Sequence, residues 1–184
     1  MKKDYIVLIV GESGSGKSEI CGYLKSMYGL KELKSYTTRP RRKANDDSHT
    51  FISNEEFDKL VNMCAFTEYN GFRYCATEEQ VENSDIYIID PSGVEYFFKT
   101  YNGRKIPMVV YISAHEDVRR ARMLWRGNSE EEAEERIALD KRVFANMKEV
   151  ATFTYYNNDD SMDDVAEIGE LINEEFFERG EWHG

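Results

Sequence analysis

Eight consecutive residues, Gly11-Glu12-Ser13-Gly14-Ser15-Gly16-Lys17-Ser18, combine glycines, a lysine and a hydroxyl in the order that phosphate binding requires. Glycines let the backbone curl until successive N–H groups point at one phosphate, and a helix that follows adds the positive end of its dipole. The lysine carries a mobile charge to β- and γ-phosphates, and the serine hydroxyl after it suits Mg²⁺. Basic side chains gather in two further places. Arg39, Arg41, Arg42 and Lys43 form one group; Arg119, Arg120, Arg122 and Arg126 form the other. Guanidinium is the side chain for bidentate phosphate recognition, so both groups are candidate phosphate sites. A carboxylate, Asp90, ends the apolar run Asp85-Ile86-Tyr87-Ile88-Ile89, where an acid opposite a phosphate loop holds Mg²⁺ through water.

The elements that must position these groups follow from periodicity. Tyr5 to Val10 is a short, β-branched apolar run and predicts a buried strand. Glu19 to Met27 places Ile20, Leu24 and Met27 on one helix face, and Gly29 is set to end that helix. Leu33 to Arg42 interleaves hydroxyls and guanidiniums with a proline, so it is a polar strand or loop outside the core. Four S/T-x-x-E/Q patterns predict helix starts: Ser53/Glu56, Thr77/Gln80, Ser113/Glu116 and Ser129/Glu132. The first of these helices is expected to bury Phe57, Leu60 and Val61. A helix through Val94 to Lys99 ends at Asn102-Gly103, and Pro107 to Ile112 is a third buried strand. The last helix runs from about Met162 to Phe177, with Val165, Ile168, Leu171 and Ile172 inward. Strands alternating with helices predict an α/β fold with a parallel central sheet flanked by helices.

Composition sets the bounds. The 184 residues suffice for one well-buried core, with 41% apolar and 32% charged residues. A net charge of −11 argues against nucleic acid or an anionic membrane as partner, so anionic ligands need the local basic clusters above. Cys21, Cys64 and Cys75 have no metal-ligand spacing and read as reduced structural residues. No apolar run approaches the ~18 residues of a membrane span. Met1-Lys2-Lys3 is followed by Asp4 and only a short apolar run, which does not suit a signal peptide. A cytoplasmic location is expected.

The pattern resembles the guanylate kinase family, whose members phosphorylate GMP with ATP. It is carried by the phosphate loop and by Ser35-Tyr36-Thr37-Thr38-Arg39-Pro40-Arg41-Arg42 some way beyond it. By that resemblance Ser35, Arg39 and Arg42 grip the GMP phosphate, with Arg41 the alternative to Arg42 because Pro40 sits one place early. His49 stands where the family has a tyrosine. Glu68, in Phe66-Thr67-Glu68-Tyr69, matches the glutamate that accepts from guanine N1–H and N2–H₂, and Tyr74 matches a phosphate ligand. Cys75 and Ala76 replace a glycine and a hydroxyl; Thr77 either supplies that hydroxyl or simply caps a helix. Asp90-Pro91-Ser92-Gly93 resembles the family's D-x-Q-G, making Asp90 and Gly93 acceptor-site residues, while Ile88 stands where a second acid is usual.

On the ATP side the resemblance assigns the whole loop from Gly11 to Ser18. Arg122, Arg126 and Gly127 fit an R-x-x-x-R-G lid hinge, Arg136 fits a lid arginine, and Asn158 lies in an N-D-D turn near adenine. Lys17, Arg39, Arg126 and Arg136 are the implied catalytic groups, Ser18 and Asp90 the implied Mg²⁺ residues, and ATP and GMP the implied partners. The implied organisation is one domain: core 1–33, 83–121 and 143–184, an NMP-binding lobe at 34–82 and a lid at 122–142. Two alternatives stay open, a P-loop kinase with another acceptor and a non-catalytic interaction module of the same fold. Oligomeric state is not legible.

Overall fold

The computed structural model describes residues 4–159 and 162–178; Asp160 of the N-D-D turn and Met1-Lys2-Lys3 lie outside them. Strand β1, Tyr5–Gly11, is buried at every position. A continuous apolar strand needs cover on both faces, and helices supply it. Ile6, Leu8 and Val10 pack against Val94 and Phe97 of α4 (Pro91–Thr100) and Met147 of α7 (Met147–Val150). Tyr5, Val7 and Ile9 face α1 (Lys17–Tyr28) through Ile20 and Leu24, and α8 (Met162–Asn173) through Val165, Ile168 and Ile172. Phe176, in the π turn Glu174–Glu178, closes that side.

The sheet is parallel throughout, in the order β6-β1-β7-β8, where β6 is Ile86–Ile88, β7 Ile106–Ser113 and β8 Phe153–Tyr156. This is the predicted α/β architecture. A parallel sheet gathers the carboxyl ends of its strands on one edge, and the phosphate loop after β1 and Asp90 beyond β6 both emerge there.

A second sheet, order β3-β2-β5-β4, falls inside residues 34–82. It comprises β2 (Tyr36–Thr37), β3 (Thr50–Phe51), β4 (Met63–Tyr69) and β5 (Phe72–Thr77), with the short helices α2 (Asn54–Phe57) and α3 (Glu78–Glu82). Asn70 and Gly71 turn the β4–β5 hairpin with positive φ of 51° and 76°, the geometry favoured in two-residue turns. Cys64, Ala65 and Ala76 of this sheet share one core with β1 and α4, which fixes the second sheet against the first. Helix α5 (Glu116–Trp125) meets α6 (Glu130–Val143) through Met123, Ala133 and Ile137.

Several expectations are corrected. Met27 is exposed and Cys21 takes its place on the buried face of α1. Helix α2 ends at Phe57, leaving Val61 exposed. Ser113 caps nothing: β7 runs on to pair it with Tyr156, so the helix N-cap falls to His115 without a side-chain bond. Leu171 is likewise exposed on α8. The other three capping boxes form as expected. Asp90 adds a cap of its own, accepting from Gly93 N–H, so α4 starts at Pro91, before Val94. All three cysteines are free and buried. Among the described residues no helix is long and apolar enough to cross a membrane.

Candidate active site

The phosphate loop is built by close approach. A Cβ on Gly11 would sit 2.2 Å from the Ile112 carbonyl oxygen of β7, and one on Gly16 2.0 Å from Asn157 Nδ2. Gly14 and Gly16 hold φ of 78° and 92°, where side chains are strained. Lys17 folds its ammonium onto the Gly11 and Glu12 carbonyls at 2.6 and 2.9 Å. Ser18 is exposed in the first turn of α1. Glu12 accepts from the Tyr111 hydroxyl, and Asn157 Nδ2 donates to the Ser15 carbonyl at 3.0 Å. Glu12 Oε2 and Ser15 Oγ are buried without a hydrogen-bond partner.

Burial holds Lys17 down at about 8, although Asp140 and Glu12 pull the other way. In the free protein it keeps its proton at neutral pH and loses it soon above. The kcat/KM for ATP is therefore expected to fall as pH rises from about 7 to 9, and a flat profile contradicts this placement.

One cavity, about 670 Å³, opens beside the loop and is lined by Gly16, Glu19, Arg122, Trp125, Arg126, Asn157 and Asp159 among others. Arg122 donates to the carbonyls of Gly14 (3.2 Å), Asn157 (3.0 Å) and Asp159 (2.6 Å), so it braces loop and cavity together. Arg126 pairs with Glu19 at 2.6 Å. Two residues expected on the ATP side, Asn158 and Arg136, line none of the cavities. Asn158 turns its side chain to the His115 N–H, leaving Asn157 to line the cavity. Arg136 is exposed on α6 and lines neither this cavity nor the next, because the inward face of α6 is Ala133, Ile137 and Asp140.

A second cavity, about 460 Å³, lies between the two sheets. Ser35, His49, Tyr74, Asp90 and Gly93 all line it, together with Thr67, Tyr69, Ile88, Ser92 and Asp140. Ser35 Oγ is 2.9 Å from His49 Nδ1, and the His49 ring meets the Tyr74 ring edge-on at 5.4 Å. Burial, with Arg39 beside it, lowers the His49 pKa, so the ring is neutral at pH 7 in the free protein. A third cavity, about 390 Å³, joins Ser18 on α1 to Ser35, His49 and Ile88. It lies between the phosphate loop's helix and the second cavity.

Arg39 is 8% exposed, bonds Asp46 and Ser48 at 3.2 and 3.3 Å, and lies 5.2 Å from the Phe51 ring centroid. The Ser48 hydroxyl, more than any other contact, holds Asp46 well below the usual carboxylate range. Arg41 stacks on Phe51 and donates to the Asp46 carbonyl; Arg42 is exposed and lines none of the three cavities. Thr77 caps α3 and lines none of them either, so the capping alternative holds. Glu68 is exposed and stands in register with Arg73, whose guanidinium runs to Asp58 and Asn54. Thr67 and its cross-strand partner Tyr74 line the second cavity with Ala65, Phe66 and Tyr69, whereas Glu68 and its partner Arg73 line none of the three cavities.

Two hard oxygens, Ser18 Oγ beside the third cavity and Asp90 on the wall of the second, could hold Mg²⁺. Asp90 Oδ1 accepts from Ser92 Oγ and Gly93 N–H, which fixes the carboxylate on the cavity wall. Among the described residues no cluster of three or more His, Cys, Asp or Glu could cage a metal. One hydroxyl and one carboxylate fit an ion that keeps its waters and shares the phosphates of a nucleotide.

Sequence reading also missed the Arg119–Asp140 pair, Thr67, Ser92 and Trp125. The first joins residues 21 apart in the chain and carries no local signature; Thr67 could have been found by extending the period of β4 across the motif.

A family model described as an AAA domain matches residues 7–142. Guanylate kinases of Neisseria gonorrhoeae and Neisseria meningitidis are each 39% identical over 71 residues, 37% of this chain and 35% of theirs. The matched stretch thus spans about a third of those relatives. A guanylate kinase of Baumannia cicadellinicola is 27% identical over 187 residues, covering 91% of this chain and 88% of that one. Among solved structures, guanylate kinase from Anaplasma phagocytophilum matches with a TM-score of 0.61 and 17% identity, over 100% of this chain and 92% of the other, which shows the shared fold.

Proposed function

The chain belongs to the AAA-domain family of P-loop proteins and to the guanylate kinase family, and we propose from this that it transfers the γ-phosphoryl group of ATP to a nucleoside monophosphate, GMP. The observation that carries the proposal is the arrangement of cavities around one loop. ATP lies with its base toward Arg122, Trp125 and Asn157 and its phosphates in the loop. The monophosphate enters the cavity of Ser35, His49 and Tyr74, so that its phosphate faces the gap bounded by Ser18. Phosphoryl transfer asks the protein for alignment, exclusion of water and neutralisation of charge, and for no covalent intermediate. Lys17 and Arg126 supply charge on the donor side, Arg39 on the acceptor side. Arg126 must leave Glu19 to do so. Ser18 and Asp90 would hold a Mg²⁺ bound with ATP, which would offset phosphate charge. A cytoplasmic enzyme free of nucleic acid fits the acidic composition.

GMP is favoured by the relatives, all named guanylate kinase. A second reading, another monophosphate as acceptor, is favoured by Glu68 on the outer face of β4 and Ile88 on the cavity wall. The decisive experiment compares kcat/KM for GMP, AMP, CMP and UMP in wild type, Glu68→Gln and Thr67→Val. GMP is expected to lead. Glu68→Gln is expected to stay within about twofold, whereas Thr67→Val loses a hydroxyl facing the base and falls about tenfold. Another monophosphate outrunning GMP replaces the first reading with the second.

A further inference from the structure

Asp140 of α6 takes no part in the roles above. It is 7% exposed and lines the acceptor cavity. Its Oδ2 accepts from the Ser13 backbone N–H at 2.8 Å and from the Arg119 guanidinium. Arg119, 4% exposed, donates through Nε to the Ser13 carbonyl at 2.9 Å, and its other arm lies 3.8 Å from Glu12 Oε1. Of the acids acting on the Lys17 charge, Asp140 is the strongest.

One carboxylate is therefore held by a loop N–H and a buried guanidinium, in the field of the loop lysine. A terminal phosphoryl oxygen asks for the same donors. The cluster is also balanced, with Asp140 and Glu12 against Arg119 and Lys17. A γ-phosphoryl group arriving beside Asp140 meets a like charge and no uncompensated cation.

We propose that Asp140 is an internal anion seated at the γ-phosphoryl end of the loop, that ATP displaces it, and that the released Arg119 becomes a ligand of the γ-phosphoryl group. The proposal rests on the reading that this loop binds ATP. ADP lacks the γ-phosphoryl group and binds with Asp140 in place. Helix α6 also carries Leu139 and Val143 on the acceptor-cavity wall, so the displacement reaches the acceptor side.

The test is calorimetric titration with ADP and with an ATP analogue whose β–γ bridge is methylene. Asp140→Asn keeps shape and hydrogen bonding but removes the charge. It is expected to tighten the analogue about tenfold and leave ADP within about twofold. Arg119→Gln is expected to weaken the analogue more than ADP. A merely structural clamp moves both nucleotides together, so an unchanged ratio in Asp140→Asn overturns the proposal. Should that variant not fold, hydrogen exchange in wild type decides. The analogue, and not ADP, is expected to speed exchange in α6, and equal effects overturn the proposal. If neither nucleotide binds wild type, the ATP reading itself has failed, a result separate from an unchanged ratio.

Discussion

Replacing Lys17 with alanine is expected to lower kcat by about 10²–10³-fold while the protein keeps its fold. Among the described residues Lys17 belongs to no hydrophobic core cluster, and its ammonium bonds only the Gly11 and Glu12 carbonyls. Strand β1 and helix α1 are held instead by Val7, Ile9, Ile20 and Leu24, which the substitution leaves in place. What disappears is a cation beside the phosphates, in a site where burial has already stripped water from the charge and lowered its pKa. Such a charge acts without reorganisation during transfer, and its loss falls on the chemical step more than on binding. Turnover by steady-state assay, with circular dichroism as the control for folding, checks both halves. Wild-type turnover in the variant contradicts the role of the loop.

Arg39→Ala is expected to lower kcat/KM for the acceptor about a hundredfold and leave ATP affinity unchanged. Its guanidinium lies between the Phe51 ring and the loop around Asp46; it lines none of the three cavities, but its charge acts on the His49 ring of the second cavity's wall. A phosphate there gains a charge-assisted pair from it, and none of that energy is available to ATP on the far side of the loop. The loop itself should persist in the variant. Asp46 also accepts from the Arg42 and Ser48 N–H groups and the Ser48 hydroxyl, so it loses one partner among several. Titration of the acceptor and of ATP against the variant separates the effects, and equal losses for both ligands contradict the assignment.

The fold was legible where one physical rule acted alone. Strand β1 announced itself because a sheet covered on both faces needs an unbroken apolar run, and the phosphate loop because its glycines answer to sterics. Three of four capping boxes were readable because the cap is a local contact. Ser113 failed because strand pairing with Tyr156 competed for the same residue and won. Ser35, His49 and Asp90 lie just outside strand ends and Tyr74 within β5, and all four, named by their motifs, reached one cavity. Glu68 did not, because a motif gives residue order and not the face of a strand; Thr67 and Tyr69 have the cavity-facing parity. Arg119 and Asp140 could not be paired from sequence, because their contact depends on how α5 and α6 meet over the loop. Arg42 and Arg136 were assigned by the family resemblance, and both are on exposed positions that line none of the three cavities.

The most direct test of phosphoryl transfer is phosphorus NMR of the protein with ATP, Mg²⁺ and GMP. The account predicts that ADP and GDP grow in equal amounts as ATP and GMP decline, with inorganic phosphate flat and all growth lost in Lys17→Ala. ATP that stays intact with every monophosphate offered, or that yields ADP and inorganic phosphate without a nucleoside diphosphate from the acceptor, contradicts it.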